Sequence, residues 1–351
     1  MMYSNEVLSS LLISDVKDVP SNNINPIFDL PKLSELDASD DSIPLIDLDG
    51  LNGPNRSLII NQIGQACEEY GFFMVVKNHG IPEATINNIQ STAMKFFKLP
   101  NEERLKFQSI DPTKTIRLTT GFNNKNQKVF VWRESLKFHS YPIEDYEHEW
   151  PSNPPSFKED VANYGTSVRG LEFALLEAIS ESLGLERDYI DKTLGMHGQG
   201  IALNYYPPCP QPELTFGLPG HTDPSIITIL LIDDVPGLQV LKNGKWVNIR
   251  PIPNTFVVNV GDQIQVLSND RYKSVVHRVV VNCDKERISI PSFYYSSPDT
   301  VIGPAKDLID NDHPAIYRKS ACRAFNERMW NGGLAAAKAA KSQPDVSSPA
   351  A

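Results

Sequence analysis

The run Leu238-Gln239-Val240-Leu241-Lys242-Asn243-Gly244-Lys245-Trp246-Val247 indicates the fold class. Asn-Gly between two short apolar runs is a strong signal for a two-residue β-hairpin turn. Further turn signals recur on both sides of this hairpin, within residues 199–298, at Val235-Pro236-Gly237, Pro253-Asn254, Gly261-Asp262 and Asn269-Asp270. Many short strands at such spacing predict a β-sandwich or a jelly roll.

Helical patterns precede this β-rich region. Three stretches have apolar residues at the spacing of an amphipathic helix: 58–70, 83–98 and 156–183. The last is the longest and ends at Gly184, so we expect it to lie along the outside of the β core and brace it. Apolar runs at 43–48 and 72–76 predict two strands, and Pro44 places the first at a sheet edge. The chain is therefore predicted to have an α+β fold.

Composition and charge exclude several classes of function. The chain has 351 residues and 40% hydrophobic composition, which is typical of a globular protein with one large domain or two modest ones. A net charge of −10 disfavours nucleic acid or an anionic membrane as a partner. No apolar run approaches the roughly 18 residues of a membrane span, and the N-terminus lacks a basic targeting segment. We therefore expect a cytoplasmic monomer.

Cysteine usage argues against a disulfide framework or a zinc knuckle. The four cysteines are scattered without a C-x-x-C pair: Cys67, Cys209, Cys283 and Cys322. We expect each to be a reduced thiol that behaves as a small buried hydrophobic residue. His79, in the turn Asn78-His79-Gly80, is expected to stabilise that turn by a hydrogen bond and not to bind a metal.

Three residues form a candidate metal site. His221 and Asp223 are one residue apart, and His277 follows more than fifty residues later. Because alternate residues of a strand point to the same side, His221 and Asp223 share a face. Two imidazoles and one carboxylate match the facial triad that binds Fe(II) and leaves the opposite positions open. Zinc is the main competing metal, but no H-E-x-x-H helix or cysteine pair supports it.

A buried cation is predicted close to this site. In the run 287–295, alternation places Arg287, Ser289, Phe293 and Tyr295 on one face, with Ile288 and Ile290 on the other. An arginine that points into an apolar barrel requires an anion, and a dicarboxylate is one that fits. Asn204 and Tyr206 are also two residues apart and present an amide and a phenol together.

At these residues the chain resembles the plant 2-oxoglutarate/Fe(II)-dependent dioxygenases. The resemblance covers roughly residues 40 to 320, and several unlinked motifs occur in the order typical of the family. These motifs are Gly71-Phe72-Phe73, Asn78-His79-Gly80-Ile81-Pro82, Asn204-Tyr205-Tyr206-Pro207-Pro208-Cys209-Pro210-Gln211-Pro212-Glu213, His221-x-Asp223, Val235-Pro236-Gly237-Leu238-Gln239-Val240, His277 and Arg287-x-Ser289. Two further runs are most similar to the downy-mildew-resistance type of oxygenase, a subgroup that includes salicylate hydroxylases and flavone-forming enzymes: Trp150-Pro151-Ser152-Asn153-Pro154-Pro155 and Gln263-Ile264-Gln265-Val266-Leu267-Ser268-Asn269.

The resemblance implies a fold and a set of ligands. The fold is a double-stranded β-helix, a cupin-like jelly roll braced by helices. His221, Asp223 and His277 are the implied catalytic metal ligands for Fe(II). The implied co-substrate is 2-oxoglutarate, with ascorbate as reductant. Its distal carboxylate is expected to bind Arg287 and Ser289. Tyr206 is expected at the same end and Asn204 at the metal-binding end.

The resemblance also implies an activity. We expect hydroxylation or desaturation of a small aromatic plant metabolite, a phenolic acid such as salicylate or a flavonoid, with dioxygen consumed and 2-oxoglutarate decarboxylated to succinate. Phe293 is the implied aromatic wall for this substrate and Tyr295 a phenol facing it, while Phe130 and Trp132 close the other side or simply fill the core. The alternatives are oxidation of an alkaloid or hormone and a catalytically silent protein that binds a small ligand.

The chain shows no linker that would divide it into independent domains. We expect an N-terminal arm at 1–42, a helical and β region at 43–198 and the jelly-roll core at 199–300. A C-terminal helical segment at 301–334 and a disordered tail at 335–351 complete the prediction. The run Ser320-Ala321-Cys322-Arg323-Ala324-Phe325-Asn326 departs from the family pattern, which affects the C-terminal wall of the substrate pocket and not the metal site.

Overall fold

The computed structural model describes residues 18–19, 24, 43–109, 111, 113–119, 131–195, 198–325 and 327. The predicted tail at 335–351, the substrate residue Phe130 and all but three residues of the N-terminal arm lie outside these ranges. Residues 322–325 are helical. Between 301 and 321, the expected helical segment instead contains two short strands and a 3-10 turn at Lys306–Leu308.

Two main β-sheets form the core, as the turn signals predicted. The larger has eight strands and the smaller four, and a separate pair of two-residue strands follows them. In spatial order the larger sheet consists of β1 (Leu45–Asp47), β2 (Phe72–Lys77), β10 (Phe256–Val260), β7 (Ile227–Ile232), β12 (Arg287–Tyr295), β5 (Gly198–Tyr206), β4 (Glu134–Tyr141) and β3 (Ile116–Thr119). The smaller consists of β6 (Leu218–His221), β11 (His277–Val279), β8 (Leu238–Lys242) and β9 (Lys245–Asn248), and the pair is β13 (Val301–Ile302) with β14 (Ser320–Ala321).

The predicted hairpin is β8 and β9. Leu241 pairs with Trp246 and Lys242 with Lys245. Asn243 and Gly244 between them have φ values of 51° and 75°. A two-residue turn of this type requires positive φ at both positions, which explains why Asn-Gly occupies them.

Helices cover one face of the larger sheet. The α-helices whose full length is described are α1 (Arg56–Glu69), α2 (Glu83–Phe97), α3 (Asn101–Leu105), α4 (Ile143–Tyr146), α5 (Phe157–Ser182), α6 (Tyr189–Leu194) and α7 (Asp262–Leu267). The 26-residue α5 confirms the longest predicted helix, and it buries Val161, Val168 and Leu175 against the sheet. No helix in the described part of the chain is long and apolar enough to cross a membrane.

Alternation along β12 separates two apolar clusters. Ile288, Ile290 and Tyr294 join the cluster formed with the helices. A second cluster lies between the two sheets and contains Tyr206 of the larger sheet and Val279 of the smaller one. The predicted division of β12 into two faces is confirmed. Its other face, with Arg287 and Ser289, therefore points to the interior of the jelly roll.

The side chain of His79 forms two close polar contacts at its turn. His79 Nδ1 accepts a hydrogen bond of 3.1 Å from the amide of Ile81, and its Nε2 lies 3.1 Å from the carbonyl oxygen of Asn254, so its role in the turn is confirmed.

All four cysteines are free thiols. Cys283 is exposed and the other three are buried, so the expectation of burial was wrong for Cys283, which lies in the polar loop before β12.

Candidate metal centre and co-substrate pocket

Strand pairing brings the two histidines together. His221 is the last residue of β6 and lies opposite His277, the first residue of β11. Their ring centroids are 4.2 Å apart. Nε2 of each histidine lies 3.7 Å from Oδ1 of Asp223, and the ligand atoms of all three residues lie within 4.8 Å of one another. The predicted cluster of two imidazoles and one carboxylate is therefore present.

Hydrogen bonds to backbone carbonyls orient both imidazoles. His221 Nδ1 donates to the Pro219 oxygen over 2.9 Å, and His277 Nδ1 to the Val275 oxygen over 3.1 Å. A proton on Nδ1 leaves the lone pair of Nε2 free for a metal. Burial and the adjacent His277 ring lower the pKa of His221 to about 3, so the His221 imidazole is neutral near pH 7.

The carboxylate of Asp223 is held by one of its two oxygens. Thr228 Oγ1 and Asn259 Nδ2 donate to Oδ2 over 2.6 and 2.9 Å, whereas Oδ1 faces the two histidines. Burial opposes ionisation of this group. The two imidazoles and the bonds from Thr228 and Asn259 outweigh burial and lower its pKa, so Asp223 is a carboxylate.

This donor set fits a divalent first-row metal. Metal–ligand bonds of about 2.1 Å place neighbouring ligand atoms of an octahedron roughly 3 Å apart. The observed 3.7 Å separations therefore require only a small contraction around an ion. Nitrogen and oxygen donors without a thiolate favour Fe(II) over softer metals. The three residues could thus hold Fe(II) on one face and leave the other face to a co-substrate.

Arg287 is buried on the interior face of β12, the face on which alternation predicted it. Its side chain is 2% exposed, and its Nε donates to the Val235 oxygen over 3.1 Å. Among the described residues nothing accepts a hydrogen bond from Nη1. The guanidinium carbon lies 5.0 Å from the centre of the Tyr206 ring. A buried guanidinium with an unsatisfied donor fits an external anion, and its planar fork suits a carboxylate.

The other predicted co-substrate residues form a row beside Arg287. Ser289 lies opposite Asn204 across β12 and β5. Asn204 Nδ2 donates to Ser289 Oγ over 3.3 Å, and the Tyr206 hydroxyl lies 3.4 Å from the same oxygen. Ser135 Oγ donates to Asn204 Oδ1 over 2.8 Å and so fixes the orientation of the amide. The structure therefore brings all four predicted co-substrate residues together.

Two of the predicted substrate residues lie further along β12. Phe293 is half-buried and pairs with Gly200 and Thr228 on the neighbouring strands. The Tyr295 ring packs over Gly198, where a β-carbon would lie 2.6 Å from it. The Tyr295 hydroxyl hydrogen-bonds His139 Nδ1. Both side chains share the interior face with Ser289.

Trp132 is in a different environment from Phe293 and Tyr295. It is fully buried, its indole N–H donates to the Pro207 oxygen over 3.0 Å, and it joins the cluster between the sheets. These are the contacts of a packing residue, which was the alternative interpretation of its role. Its part in substrate binding, like that of Phe130, stays a prediction.

Sequence reasoning missed two residues that support the metal site. Thr228 and Asn259 are each the polar residue of a strand that is otherwise apolar, in Ile227-Thr228-Ile229 and Val258-Asn259-Val260. A polar residue among β-branched ones was the available signal. It also missed the cations Arg117, Arg133 and Lys137, because their position depends on how β3 and β4 join the larger sheet.

Comparisons with known proteins agree with this geometry. Residues 43–157 match a family region described as non-haem dioxygenase in morphine synthesis N-terminal, and residues 197–296 match the 2OG-Fe(II) oxygenase superfamily. Protein DMR6-LIKE OXYGENASE 1 of Arabidopsis thaliana is 57% identical over 334 residues, which cover 94% of this chain and 95% of the relative. Flavanone 3-dioxygenase 2 of Oryza sativa subsp. japonica is 48% identical over 326 residues, with 92% and 94% covered.

A solved structure supports the same assignment. The crystal structure of JOX2 in complex with 2OG, Fe and JA has a TM-score of 0.85 to this chain at 32% sequence identity, and the match covers 98% of both chains. The similarity in sequence and in structure thus extends over nearly the whole chain. The chain belongs to the 2OG-Fe(II) oxygenase superfamily and is a 2-oxoglutarate-dependent dioxygenase whose metal is Fe(II).

Proposed function

We propose that this dioxygenase hydroxylates or desaturates a small aromatic plant metabolite, either a phenolic acid of the salicylate type or a flavonoid. The position of Phe293 is the main support. Phe293 lies opposite Thr228 on β7, and Thr228 in turn donates to the carboxylate of Asp223. The backbone position of Phe293 is therefore next to Thr228, which holds the metal ligand Asp223 in place. Such a ring offers a stacking face to a planar substrate.

In this proposal the metal ligands act through defined atoms. His221 and His277 hold Fe(II) through Nε2, and Asp223 holds it through Oδ1. Bound Fe(II), together with 2-oxoglutarate and dioxygen, supplies the oxidising chemistry. The protein keeps the His221 imidazole neutral and the Asp223 carboxylate ionised, so these two donors are ready to bind.

The co-substrate is held at its two ends. Arg287 donates from Nη1 to the distal carboxylate, and Ser289 adds its hydroxyl. Tyr206 contacts the same end, whereas Asn204 binds near the metal. Each charge-assisted hydrogen bond contributes about 1.5 to 3 kcal/mol. The apolar residues between the sheets exclude water from this region.

The test is a substrate panel with three readouts: succinate formation, oxygen consumption and the mass of the organic product. The panel contains phenolic acids, flavanones, alkaloids and hormones, so that the alternative substrate classes are included. A gain of one oxygen indicates hydroxylation, and a loss of two hydrogens indicates desaturation. If no compound of the panel stimulates oxygen consumption, the proposal is rejected in favour of a catalytically silent binding protein.

Variants of the metal site provide the control. His221→Ala and Asp223→Ala are expected to abolish succinate formation, whereas the exposed His313→Ala leaves it unchanged. Retained turnover in the first two variants would reject the metal assignment. Ascorbate as reductant, a monomeric state and a cytoplasmic location belong to the same proposal. Assays without ascorbate, size-exclusion chromatography and microscopy of a tagged protein test them in turn.

A further inference from the structure

Three cationic residues cluster on the interior side of β3 and β4. Arg117 pairs with Lys137 across these strands, and Arg133 directly precedes β4. Lys137 shares its face of β4 with Ser135 and His139. The side chains of those two residues bond Asn204 and Tyr295 inside the jelly roll. Lys137 therefore points to the same interior.

Within the part of the chain that the structure describes, none of these three cations forms a salt bridge with a carboxylate. Arg133 is 4% exposed, and no atom of the described residues accepts a hydrogen bond from its Nε. The same holds for Nη1 of Arg117. The buried Arg104 differs, because it forms an ion pair with Glu134 on the helix-covered side of β4. Since a buried cation is normally paired, the cluster is incomplete without an external anion.

The charges near Lys137 are predominantly positive. Burial, Arg133 and Arg117 lower the pKa of Lys137 to about 7, and Asp223 is the one carboxylate that opposes them. Burial lowers the pKa of Arg117, and the carboxylate of Asp111 opposes this shift, but Asp111 is itself exposed. The Asp223 carboxylate is already committed to the metal site. An anion bound among the three cations would remove their mutual repulsion.

The metal and co-substrate do not supply this anion. Ferrous iron and Arg287 carry three positive charges, and Asp223 with the 2-oxoglutarate dianion carries three negative ones. Asp233 is a further carboxyl group near Arg287, and burial raises its pKa, which disfavours its charged form. The metal centre and the co-substrate pocket are thus balanced without the cation cluster. Its positive charge remains for a further ligand in the same cavity.

We propose that Arg117, Arg133 and Lys137 bind an ionised carboxylate of the organic substrate and so select aromatic acids over neutral aromatics. This inference rests on the proposed function, because the ring lies against Phe293 while its carboxylate is turned toward β4. About two strand spacings, roughly 10 Å, separate the backbone of Lys137 from that of Pro291 on β12. A single aromatic ring that stacks on Phe293 is within reach of the lysine. An arginine fork and an ammonium suit a carboxylate better than an un-ionised phenol.

The experiment compares acids with their uncharged amides on the protein loaded with Fe(II) and 2-oxoglutarate. The pairs are salicylate with salicylamide, benzoate with benzamide and cinnamate with cinnamamide. Affinity is measured under nitrogen by ligand-dependent thermal stabilisation, and KM and kcat are measured in air. We expect each acid to bind at least about tenfold more tightly than its amide, since one charge-assisted bond contributes about 1.5 to 3 kcal/mol.

Variants of the cluster identify its contribution. Lys137→Met is expected to weaken acid binding about tenfold and leave amide binding unchanged, because the amide carries no charge. Lys137→Arg is expected to restore the preference. Lys114→Met, which removes an exposed lysine before β3, is the matched control and keeps the full preference. Arg117→Gln provides a second test if Lys137→Met does not fold, which circular dichroism detects.

The outcomes separate this inference from the proposed function. Turnover of flavanones or amides without a preference for acids overturns the carboxylate site and leaves an aromatic oxygenase. An acid preference that survives both Lys137→Met and Arg117→Gln overturns the role of the cluster. If no aromatic compound binds or is turned over, both proposals are overturned. Loss of the preference in Lys137→Met and its return in Lys137→Arg supports the carboxylate site.

Discussion

Gly237 lies so close to Arg287 that a β-carbon on the glycine would be 3.1 Å from both Cδ and Nε of the arginine. The same β-carbon would be 2.9 Å from the carbonyl oxygen of Val280, so the backbone blocks it on another side. The absence of a side chain at position 237 thus permits the observed position of the guanidinium.

Gly237→Ala is therefore expected to weaken 2-oxoglutarate binding by displacing Arg287. The KM for 2-oxoglutarate should rise about tenfold or more, because a shifted guanidinium loses a charge-assisted hydrogen bond. Succinate formation against 2-oxoglutarate concentration measures it. Gly170→Ala, at an exposed position of α5 with no atom within 4 Å of the new β-carbon, is the control and should leave the KM unchanged. An unaltered KM in Gly237→Ala would contradict the tight fit.

Arg287→Lys is expected to impair co-substrate binding although it keeps the charge. Lysine has no planar fork and cannot make two parallel bonds to a carboxylate. We expect the KM for 2-oxoglutarate to increase at least about tenfold. The affinity for Fe(II), measured by anaerobic metal titration, should stay close to that of the unmodified protein. A normal KM would show that Arg287 does not contact the co-substrate.

Asn259→Ala is expected to weaken the metal site without removing a ligand. The variant removes one of the two donors to Asp223 Oδ2, so the carboxylate is held less firmly. Loss of such a supporting bond typically lowers metal affinity about 10- to 100-fold. Co(II) titration followed by absorbance measures this change, with the exposed Asn61→Ala as the control. Unchanged affinity would mean that Thr228 alone fixes the carboxylate.

Lys137 is expected to make the stability of the metal-free protein depend on pH. Its pKa is about 7 in the folded protein and 10.5 for an ordinary lysine. Between these values the unfolded chain binds more protons, so this residue makes the free energy of unfolding rise with pH. Below pH 7 the charged lysine destabilises the folded state fully, and the effect fades toward pH 10.

Urea denaturation at pH 7, 8 and 9 measures this dependence. The free energy of unfolding of the unmodified protein, minus that of Lys137→Met, should increase over the series. Subtraction removes the contribution of other groups that titrate in the same range. A constant difference would show that the pKa of Lys137 is not lowered.

Local patterns predicted much of the fold and the centre of the site. Asn243-Gly244 predicted its hairpin because the turn has a strict backbone requirement that few residues meet. The alternation from Arg287 to Tyr295 predicted which side chains face the interior, since that property depends on one strand alone. The grouping of His221, Asp223 and His277 into one metal site could be predicted because few residue types bind iron.

Other parts of the site depend on which strands are neighbours. Thr228 and Asn259 belong to strands about thirty residues apart, and only the pairing of β7 with β10 brings them to the same carboxylate. Lys137 was unremarkable in sequence because a lysine in a short strand is usually exposed. Its interior position follows from the pairing of β4 with β5. Such long-range pairing is not encoded in the local pattern.

The pairing of β2 with β10 has a consequence for how the chain is made. Val75 pairs with Phe256, so two adjacent positions of the larger sheet are 181 residues apart along the chain. After Val75, a further 181 residues must leave the ribosome before these strands can meet. During this interval β2 can pair with β1 but not with β10, and its unpaired apolar edge is open to chaperone binding.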